Sequence, residues 1–575
     1  MVKRTAYRRI AAAAASILFG IALSFCMAGC ALFLGPARSV AYKANGATSG
    51  TAPVDDSVYR KGDEATLLSE GALSKTGHWF GGWSLHADGS GDRYAPGDSI
   101  EIGTEDVTLY AAWDFAPQQD LKLGETAALT TYNGSFIYSI VTAAPAGKPE
   151  SDSAPATYYD YAIYTQAGAL QNIAAPESPR AARGTRDLQR TAAVPAQARR
   201  DEASRAMEAR LLAERPPLAA GARGARSRAI AGPIAVGTLW NDVIIADADN
   251  APHSVDTTCR FVSDHAYFFV DNDVIAAMEP FLSDYGEAFD TLYHVNRAKL
   301  GQENDVDGNG KVIVVFSGVI SDNLLGYFWS VDKFEHDDIN NPLSNEGDIV
   351  YLTADAEYQL DQGDYIPATL AHEFQHMIYF DEHYDRDAPG SLAWLNEALS
   401  QAAEYFNGYF DNHNSWIASF LETYGRGLSL THWTSNNYGF GAIFIRYLID
   451  RFGEAVAGEL CATDDIGIKA VENATGMGFN ALFMDFLKAM VMSGTGDSDE
   501  PEHRFTTLNL ATVQPKGRGG LLPYVPDGGA FAAGDGYDYK VRPYGLEFDY
   551  WEGSFGTMRL IGNSGIAGAA FGLSR

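Results

Sequence analysis

Two histidines four positions apart constrain the fold of this chain more than any other feature. They stand in the run Ala371-His372-Glu373-Phe374-Gln375-His376. A helix places residues four apart on one face, so both imidazoles can point at one metal ion. Glu373, next to the first histidine, then lies close enough to deprotonate a metal-bound water. Because the bare H-E-x-x-H pattern also arises by chance, the flanking sequence has to support it.

A second helix supplies a candidate third ligand. Residues 391–406 carry an apolar stripe, and Glu397 lies on another face, 21 positions after His376. Two histidines and one glutamate form a common catalytic zinc site, with the fourth position open for water. The stretch Asn396-Glu397-Ala398-Leu399-Ser400 closely resembles the third-ligand motif of the gluzincins. The sequence therefore predicts that His372, His376 and Glu397 bind zinc.

Other residues near the motif were weighed as ligands or as partners of the ligands. His383 follows His372 by 11 positions, whereas metzincins need a spacing of ten and a glycine where Tyr379 stands. The metzincin pattern is therefore excluded. Gluzincins often carry an aspartate four positions after the glutamate ligand, which orients a zinc-bound histidine, but here Gln401 stands there. We expect Glu404, or an aspartate elsewhere, to take that orienting role.

Three stretches together resemble the hyicolysin-type bacterial metallopeptidases. They are residues 372–378, residues 394–397 (Trp-Leu-Asn-Glu) and the turn 305–311 before a predicted strand. The resemblance covers roughly residues 235–490. It implies a secreted zinc endopeptidase with a zincin-like α+β fold that acts on protein or peptide substrates. It also implies that both histidines bind zinc and that Glu373 is the catalytic glutamate.

The Asp-x-Asp-x-Asn-Gly turn looks like the first half of a calcium-binding loop. Asp305, Asp307 and Asn309 are the candidate Ca²⁺ ligands. An EF-hand loop needs a glutamate at its twelfth position, and this chain has Phe316 there. A plain turn of Asp, Asn and Gly between a helix and a strand stays the alternative.

Two residues downstream of the metal motif are candidate donors to a tetrahedral oxyanion. Tyr438 and His432 lie just before an apolar helix at residues 443–452. In thermolysin-like and related enzymes, a tyrosine or a histidine from such a region donates this hydrogen bond. A packing or surface role is the alternative for each of the two.

The first 30 residues are typical of an export signal, with a basic start and an apolar run at residues 10–23. The ending Met27-Ala28-Gly29-Cys30 resembles the lipobox of bacterial lipoproteins, with Cys30 as the lipidated residue that anchors the chain to the membrane. An uncleaved signal anchor and ordinary secretion, with cleavage near residues 39–41, are the alternatives. All three place the remainder of the chain outside the cytoplasm, at the bacterial surface or beyond it.

Residues 40–114 predict short strands separated by Gly, Pro and Asp turns. The stretches Phe80-Gly81-Gly82-Trp83, Tyr94-Ala95-Pro96-Gly97 and Leu109-Tyr110-Ala111-Ala112-Trp113 follow one another in a recognisable order. Together they resemble the Listeria–Bacteroides repeat, also called the internalin-type B-repeat. The resemblance implies a small β-grasp-like module of bacterial surface proteins, which serves either as a spacer or as a ligand-binding element.

Three further segments flank the predicted catalytic domain. Residues 118–175 alternate in strand fashion and predict a second small β domain. Residues 176–234, rich in Arg and Ala, favour a solvated helical linker. A removable pro-segment is the alternative for them, because Arg199-Arg200 would suit a trypsin-like cut. The Gly-rich residues 500–575 predict a C-terminal β region.

The catalytic domain itself is predicted to span residues 235–495 and to mix helices and strands. Pro280 lies inside the longest helical pattern, so we expect that helix to kink or break there. The predicted elements are strands at 259–270, 311–317 and 348–353, and a helix at 273–300.

Composition narrows the function. The formal charge of −32 argues against a nucleic-acid partner, because a phosphate backbone would be repelled. Four cysteines make no disulfide scaffold, and Cys259 and Cys461 are either paired or two buried free thiols. We therefore expect a multidomain, surface-attached or secreted zinc endopeptidase with Glu373 as general base. A surface adhesin with an inactive protease-like domain and a zinc hydrolase of non-peptide bonds are the alternatives.

Overall fold

The structure is a computed structural model. The predicted signal with Cys30, and His432, lie outside the residues that it describes. Within those residues, no helix combines the length and the apolar character needed to cross a membrane. The described residues are 36–47, 50–73, 75, 78–88, 92–115, 118–122, 126–128, 135–143, 159–166, 210–211, 228, 230, 232–321, 324–337, 339–360, 364–385, 392–423, 429–431, 437–493, 501–510, 513, 536–541, 544, 547–552, 557–562 and 566–574.

Strands predominate at both ends of the described chain, and helices in its middle. The strands are β1 Val40–Lys43, β2 Glu64–Thr66, β3 His78–Ser84, β4 Arg93–Tyr94, β5 Ser99–Glu101, β6 Val107–Phe115, β7 Gln118–Lys122, β8 Thr126–Ala128, β9 Ser135–Ala143, β10 Tyr159–Gln166, β11 Leu239–Ala246, β12 Pro252–Val262, β13 Ala266–Asp271, β14 Val312–Ser317, β15 Gly326–Phe328, β16 Ile349–Thr353, β17 Gly536–Val541, β18 Glu547–Glu552, β19 Thr557–Gly562 and β20 Ile566–Ser574. The helices are α1 Ile275–Met278, α2 Leu282–Leu300, α3 Ala356–Leu360, α4 Tyr365–Asp385, α5 Ala393–Phe406, α6 Phe410–Thr423, α7 Tyr438–Phe452, α8 Ala455–Cys461, α9 Gly467–Thr475 and α10 Phe479–Met492.

One compact unit, residues 1–117 with 573–575, contains the predicted N-terminal β module. Its sheet has the order β1-β6-β3-β4, with β1 parallel to β6, and β2 and β5 form a separate pair. Trp83 is fully buried in the core of this sheet, and its indole N–H donates to the carbonyl of Leu68 at 2.8 Å. Gly97 has a φ of +92°, which explains the glycine of the Tyr-x-Pro-Gly turn. The predicted β module is therefore present.

The second unit, residues 118–572, is built around a six-stranded sheet of order β11-β12-β13-β14-β16-β15. Three of its four inner strands, β13, β14 and β16, are parallel and buried along their whole length. Continuous apolar runs are expected for parallel strands that are covered on both faces. Strand β15 is antiparallel to β16 and lies at the end of the sheet.

Helices α2 and α4 cover one face of this sheet. Tyr285 of α2 stacks on Phe316 of β14, with ring centroids 5.6 Å apart. The buried amide of Asn296 on α2 donates to the carbonyl of Ala371 on α4 at 2.9 Å. The helical pattern breaks at Pro280, as predicted, because α1 ends at Met278 and α2 begins at Leu282. The sheet and α2 together fix the position of α4.

Strands from the two ends of this unit pair with each other. One four-stranded sheet has the order β17-β10-β19-β8, and another has the order β18-β9-β20-β7. Every pairing in both sheets is antiparallel. Residues 118–166 and 536–574 thus share their sheets, which differs from the prediction of a small β domain at 118–175 and a separate C-terminal β region. The pairing joins segments far apart in sequence, and alternation within each segment says nothing about its partner.

The predicted linker at 176–234 is described only in part, and those parts are anchored to the sheet domain. Leu211 is fully buried in the core cluster that contains Trp240. The backbone N–H of Arg228 donates to Glu346 Oε2 at 2.6 Å. These positions are therefore not part of a solvated linker. The side chain of Leu211 is buried in the folded domain, and the backbone N–H of Arg228 is hydrogen-bonded to it.

The two described cysteines do not pair. Cys259 and Cys461 are both free and buried. Burial raises the pKa of the Cys259 thiol to about 11, so this thiol is protonated at neutral pH. The structure therefore agrees with the alternative of two buried free thiols.

Candidate metal centre

Helix α4 presents the two histidines of the motif to one side. The helix begins at Tyr365, and Pro367 lies in its first turn, where a missing backbone donor is tolerated. The ring centroids of His372 and His376 lie 5.0 Å apart. Their ligand atoms and a carboxylate oxygen of Glu373 all lie within 4.8 Å of one another. The spacing of the motif thus produces the expected cluster.

Helix α5 brings Glu397 against both imidazoles. Glu397 Oε2 lies 3.2 Å from Nε2 of His372 and 3.6 Å from Nε2 of His376. Two imidazole nitrogens and one carboxylate oxygen therefore converge on one point. This donor set is that of catalytic zinc sites with three protein ligands, so the residues present fit a divalent metal ion.

The second nitrogen of His372 is held by Glu404. Its Nδ1 lies 2.9 Å from Glu404 Oε1. Glu404 is buried, and it accepts hydrogen bonds from the amides of Gln401 and Asn412, each at 2.7 Å. Gln401 thus stands where gluzincins often have an aspartate, and it orients the carboxylate that contacts His372.

The second nitrogen of His376 contacts the residue before Glu397. Nδ1 of His376 lies 3.1 Å from Asn396 Oδ1. The hydroxyl of Ser400 lies 3.2 Å from the same nitrogen and donates to Gln375 Oε1. The sequence placed Asn396 and Ser400 in the third-ligand motif but did not predict that either contacts His376. Their signal was the Asn-Glu-x-x-Ser spacing, which places both on the face of α5 that meets α4.

Glu373 points to the edge of the sheet. Its Oε2 accepts a hydrogen bond from the backbone N–H of Phe328 on β15 at 2.8 Å. This N–H therefore points away from the neighbouring strand β16 and towards the two histidines. This contact could not be predicted from the sequence, because almost every residue type carries a backbone N–H.

Tyr438 opens helix α7 beside the centre. Its ring centroid lies 5.9 Å from that of His372 and 4.8 Å from that of Trp416. The structure therefore brings Tyr438 next to a candidate ligand, whereas His432 falls outside the described residues.

The charges of the candidate ligands act on one another. Burial opposes the charged form of His372, but the hydrogen bonds of Glu397 and Glu404 outweigh it and raise the pKa of that imidazole well above its ordinary value. Burial likewise opposes the ionised form of Glu397, but the two imidazoles hold the pKa of its carboxyl far below its ordinary value. The centre thus favours an ionised carboxylate, the form that binds a metal ion, whereas His372 has to give up its proton when a metal ion binds.

Comparison of the sequence with known proteins identifies the N-terminal module. Residues 39–112 match the Listeria-Bacteroides repeat domain. A putative Gly-rich membrane protein of Evansella cellulosilytica is 41% identical over 75 residues, which are 13% of this chain and 9% of that protein. A putative membrane protein of the same organism is 39% identical over 74 residues, or 13% of this chain and 11% of that protein. The predicted repeat is therefore confirmed.

A third relative is similar over a longer stretch. The neutral metalloprotease ShpI of Staphylococcus hyicus is 26% identical over 211 residues, which are 33% of this chain and 47% of that protein. The chain thus spans less than half the length of this relative and about a tenth of the other two. The similarity supports the predicted relationship to metalloproteases.

The acidic turn forms a second cluster of carboxylates. Ligand atoms of Asp305, Asp307 and Asp348 lie within 4.8 Å of one another. The predicted ligand Asn309 uses its side-chain amide to donate to Asp307 Oδ2 at 2.7 Å, and its backbone N–H donates to Asp307 Oδ1 at 2.9 Å. These are the contacts of an Asp/Asn turn. Calcium binding here stays a prediction.

Sequence reasoning missed Asp348 and the buried ammonium beside it. Lys333 Nζ donates to Asp348 and also to Asp381 of α4, the latter at 2.7 Å. Asp381 in turn accepts the backbone N–H of Asn304 at 2.9 Å. This internal ion network ties the acidic turn to the helix that carries the two histidines.

Proposed function

We propose that this chain is a zinc-dependent endopeptidase that acts outside the cytoplasm. The observation that carries the proposal is the approach of Glu397 Oε2 to Nε2 of both His372 and His376, at 3.2 and 3.6 Å. The similarity to a neutral metalloprotease supports it independently. The repeat at residues 39–112, shared with proteins named as membrane proteins, supports a location at the cell surface.

The three side chains would hold zinc, and Glu404 would keep His372 in the orientation that binding needs. A bound zinc ion would lower the pKa of a coordinated water towards about 7 and polarise the scissile carbonyl.

Glu373 would act as the general base. It lies on the same helix as both histidines, and its carboxylate is within 4.8 Å of their ligand atoms without being needed as a ligand. It would accept the proton of the attacking water and pass it to the leaving amine. The bond from Phe328 N–H fixes one of its oxygens, which leaves the other for this transfer.

The substrate backbone would lie along β15. This strand ends the sheet, and the N–H of Phe328 shows that its outer edge faces the centre. An extended peptide can add to such an edge through main-chain hydrogen bonds. This mode of binding favours protein or peptide substrates over other hydrolysable compounds.

Tyr438 would donate a hydrogen bond to the oxyanion that forms on the scissile carbonyl. Its position beside His372, 5.9 Å between ring centroids, supports this role. A neutral donor placed where charge develops stabilises the transition state. We further propose that Cys30 carries the lipid that anchors the chain, with the repeat as a spacer.

The test is the metal content and casein-cleaving activity of the purified chain beside two single variants. Glu373→Gln removes the proposed base, whereas Glu382→Gln changes another glutamate of α4 and serves as the matched control. We expect one zinc per chain in all three proteins and loss of cleavage in Glu373→Gln alone. Equal cleavage by Glu373→Gln and the wild type would contradict the proposal, as would a folded chain that binds no zinc.

A further inference from the structure

Tyr544, in the C-terminal strand region, combines a buried side chain with an unusual backbone conformation. It lies between β17 and β18, only 3% of its surface is exposed, and its φ is +46°. A bulky residue rarely adopts this left-handed conformation and keeps it only where surrounding contacts hold it. The contacts of Tyr544 therefore indicate which parts of the structure require this conformation.

The backbone of Tyr544 is bonded on both sides. Its N–H donates to the carbonyl of Ala143 at the end of β9, at 2.8 Å. Its carbonyl accepts the N–H of Leu430, at 2.9 Å. The first bond ties Tyr544 to the paired strands, and the second ties it to the segment that precedes α7.

That segment leads directly to the proposed oxyanion donor. The side-chain amide of Asn437 donates to the carbonyl of Ser429 at 2.5 Å. Asn437 is buried and immediately precedes Tyr438. Two hydrogen bonds therefore link Tyr544 to the start of the helix that bears Tyr438. The first joins its carbonyl to the N–H of Leu430, and the second joins the neighbouring Ser429 to the side chain of Asn437.

The ring of Tyr544 closes the apolar core behind the centre. Its centroid lies 5.0 Å from that of Phe479 and 5.4 Å from that of Phe483, and its hydroxyl donates to Asn480 Oδ1 at 2.6 Å. Phe479 in turn lies 5.9 Å from Trp394. Trp394 is in the first turn of α5, three residues before the candidate ligand Glu397.

We infer that Tyr544 is a positioning residue for the proposed peptidase reaction, which holds the start of α7, and with it Tyr438, in place beside His372. This inference rests on the proposed function. It also means that the catalytic unit does not end at residue 495, because a residue between two C-terminal strands completes it. The contacts of Tyr544 named above are with Ala143, Leu430, Phe479, Phe483 and Asn480, and none of these is a proposed ligand or Glu373.

The experiment uses the full chain and compares Tyr544→Ala with Tyr544→Phe. Tyr447→Ala is the matched control, since it deletes a buried ring of equal size on α7 whose hydroxyl donates to the carbonyl of Glu502 at 2.8 Å. Tyr447 lies nine positions after Tyr438, roughly 13 Å along the helix. Zinc content, kcat, KM and the hydrogen exchange of peptides spanning residues 429–440 are measured for each protein.

We expect Tyr544→Ala to retain zinc, to lower kcat about tenfold or more with KM within about twofold, and to speed exchange in residues 429–440. Tyr544→Phe keeps the ring, so its kcat and its exchange rate in residues 429–440 should equal those of the wild type. Tyr447→Ala should leave exchange in 429–440 as in the wild type. Should Tyr544→Ala not fold, Asn437→Ala breaks the same path and should reproduce the loss of kcat.

The inference is overturned if Tyr544→Ala, or Asn437→Ala in its place, leaves both kcat and the exchange of 429–440 unchanged. It is equally overturned if Tyr447→Ala changes both to the same extent, since the effect would then be general loss of stability. If the wild-type chain cleaves no peptide, the proposed function fails. The exchange measurement still decides whether Tyr544 holds this segment.

Discussion

His372 is contacted at both ring nitrogens, by Glu404 at 2.9 Å and by Glu397 at 3.2 Å. A carboxylate behind a metal-binding histidine fixes its tautomer and raises its basicity. Glu404 is itself held by two amides, so its orientation is set before any metal binds. At the proposed zinc site, we therefore expect the strength of metal binding to depend on Glu404, which is not one of the proposed ligands.

Replacing this carboxylate tests that dependence. We expect Glu404→Gln to weaken zinc binding by about 10- to 100-fold, because the imidazole loses an ionised partner. Competition with a chelator of known affinity measures the dissociation constant. The control is Glu382→Gln, on α4, which should bind as the wild type does. Unchanged affinity in Glu404→Gln would show that this contact does not tune the site.

The buried carboxylates outside the centre make stability depend on pH. Burial raises the pKa of Asp307 to about 8 and that of Asp381 to about 7, from an ordinary 3.8, although Lys333 lies beside Asp381. The folded chain then binds more protons than the unfolded chain at pH values between about 4 and 8. The free energy of unfolding should therefore fall as pH rises from 5 to 8.

Urea unfolding across this pH range measures the effect. Asp381→Asn should flatten the dependence, since an amide has no proton to lose. Asp485→Asn is the control, because the pKa of Asp485 is lowered, with burial outweighed by its bonds to His503 and Arg451. It should leave the slope between pH 5 and 8 unchanged. A free energy of unfolding that rises over this range in the wild type would contradict the account.

At the centre, sequence spacing was enough to predict which side chains come together. His372, His376 and Glu397 lie on two helices whose periodicity fixes their faces, and Glu404 was one of the options offered for the orienting carboxylate. The contact of Phe328 N–H and the buried Asp348 were not predictable, because both depend on how distant segments pack. The residue type of Asn309 suits a turn as well as a cation site, so its role as a calcium ligand stays a prediction.

Among the elements, α6 and α7 meet at an unusually close crossing. A Cβ added at Gly439 would overlap the carbonyl oxygen of Trp416 and lie 2.5 Å from Phe420 Cβ. Two residues later, a Cβ at Gly441 would meet Ala398 Cβ at 3.4 Å, an ordinary contact. Only the first glycine is needed for the approach that brings Trp416 against Tyr438.

This pair of glycines gives a matched test of the helix packing. Gly439→Ala should destabilise the chain by about 1–3 kcal/mol, because the added methyl group forces the two helices apart. Gly441→Ala should cost less, since its methyl group has room and alanine favours a helix. Chemical denaturation measures both. Equal losses would show that the close approach is not what requires Gly439.

The elements of the sheet domain were predictable where local patterns were strong. The buried strands at 312–317 and 349–353 and the break at Pro280 agree with the sequence. The single strand predicted at 259–270 is instead two, β12 and β13, because the chain turns at Ser263, whose hydroxyl accepts the N–H of Ala266 at 3.1 Å. The turn could not be predicted from the periodicity, because apolar residues continue on both sides of it.

On the scale of the whole chain, the sheets β17-β10-β19-β8 and β18-β9-β20-β7 combine residues 118–166 with residues 536–574. The helices α4 and α5, which carry the candidate ligands, lie between these two segments in sequence. Pairing across such a distance leaves no local pattern, so the sequence predicted the strands and missed their partners.

The pairing predicts that a cut between the segments does not separate them. A protease site inserted within residues 176–209 would yield two fragments, and we expect them to elute together in size-exclusion chromatography. Urea should separate them, because the backbone hydrogen bonds that pair these strands are non-covalent. Fragments that elute apart without denaturant would show that these sheets do not form, and an uncut sample run in parallel is the control.

We propose that His372, His376 and Glu397 hold one metal ion. Anomalous diffraction above and below the zinc absorption edge, from crystals grown with zinc, tests it most directly. The account predicts a single strong peak within about 2.0–2.2 Å of both Nε2 atoms and of a carboxylate oxygen of Glu397. No peak between these three side chains, or a zinc ion that Glu397 does not bind, would contradict it.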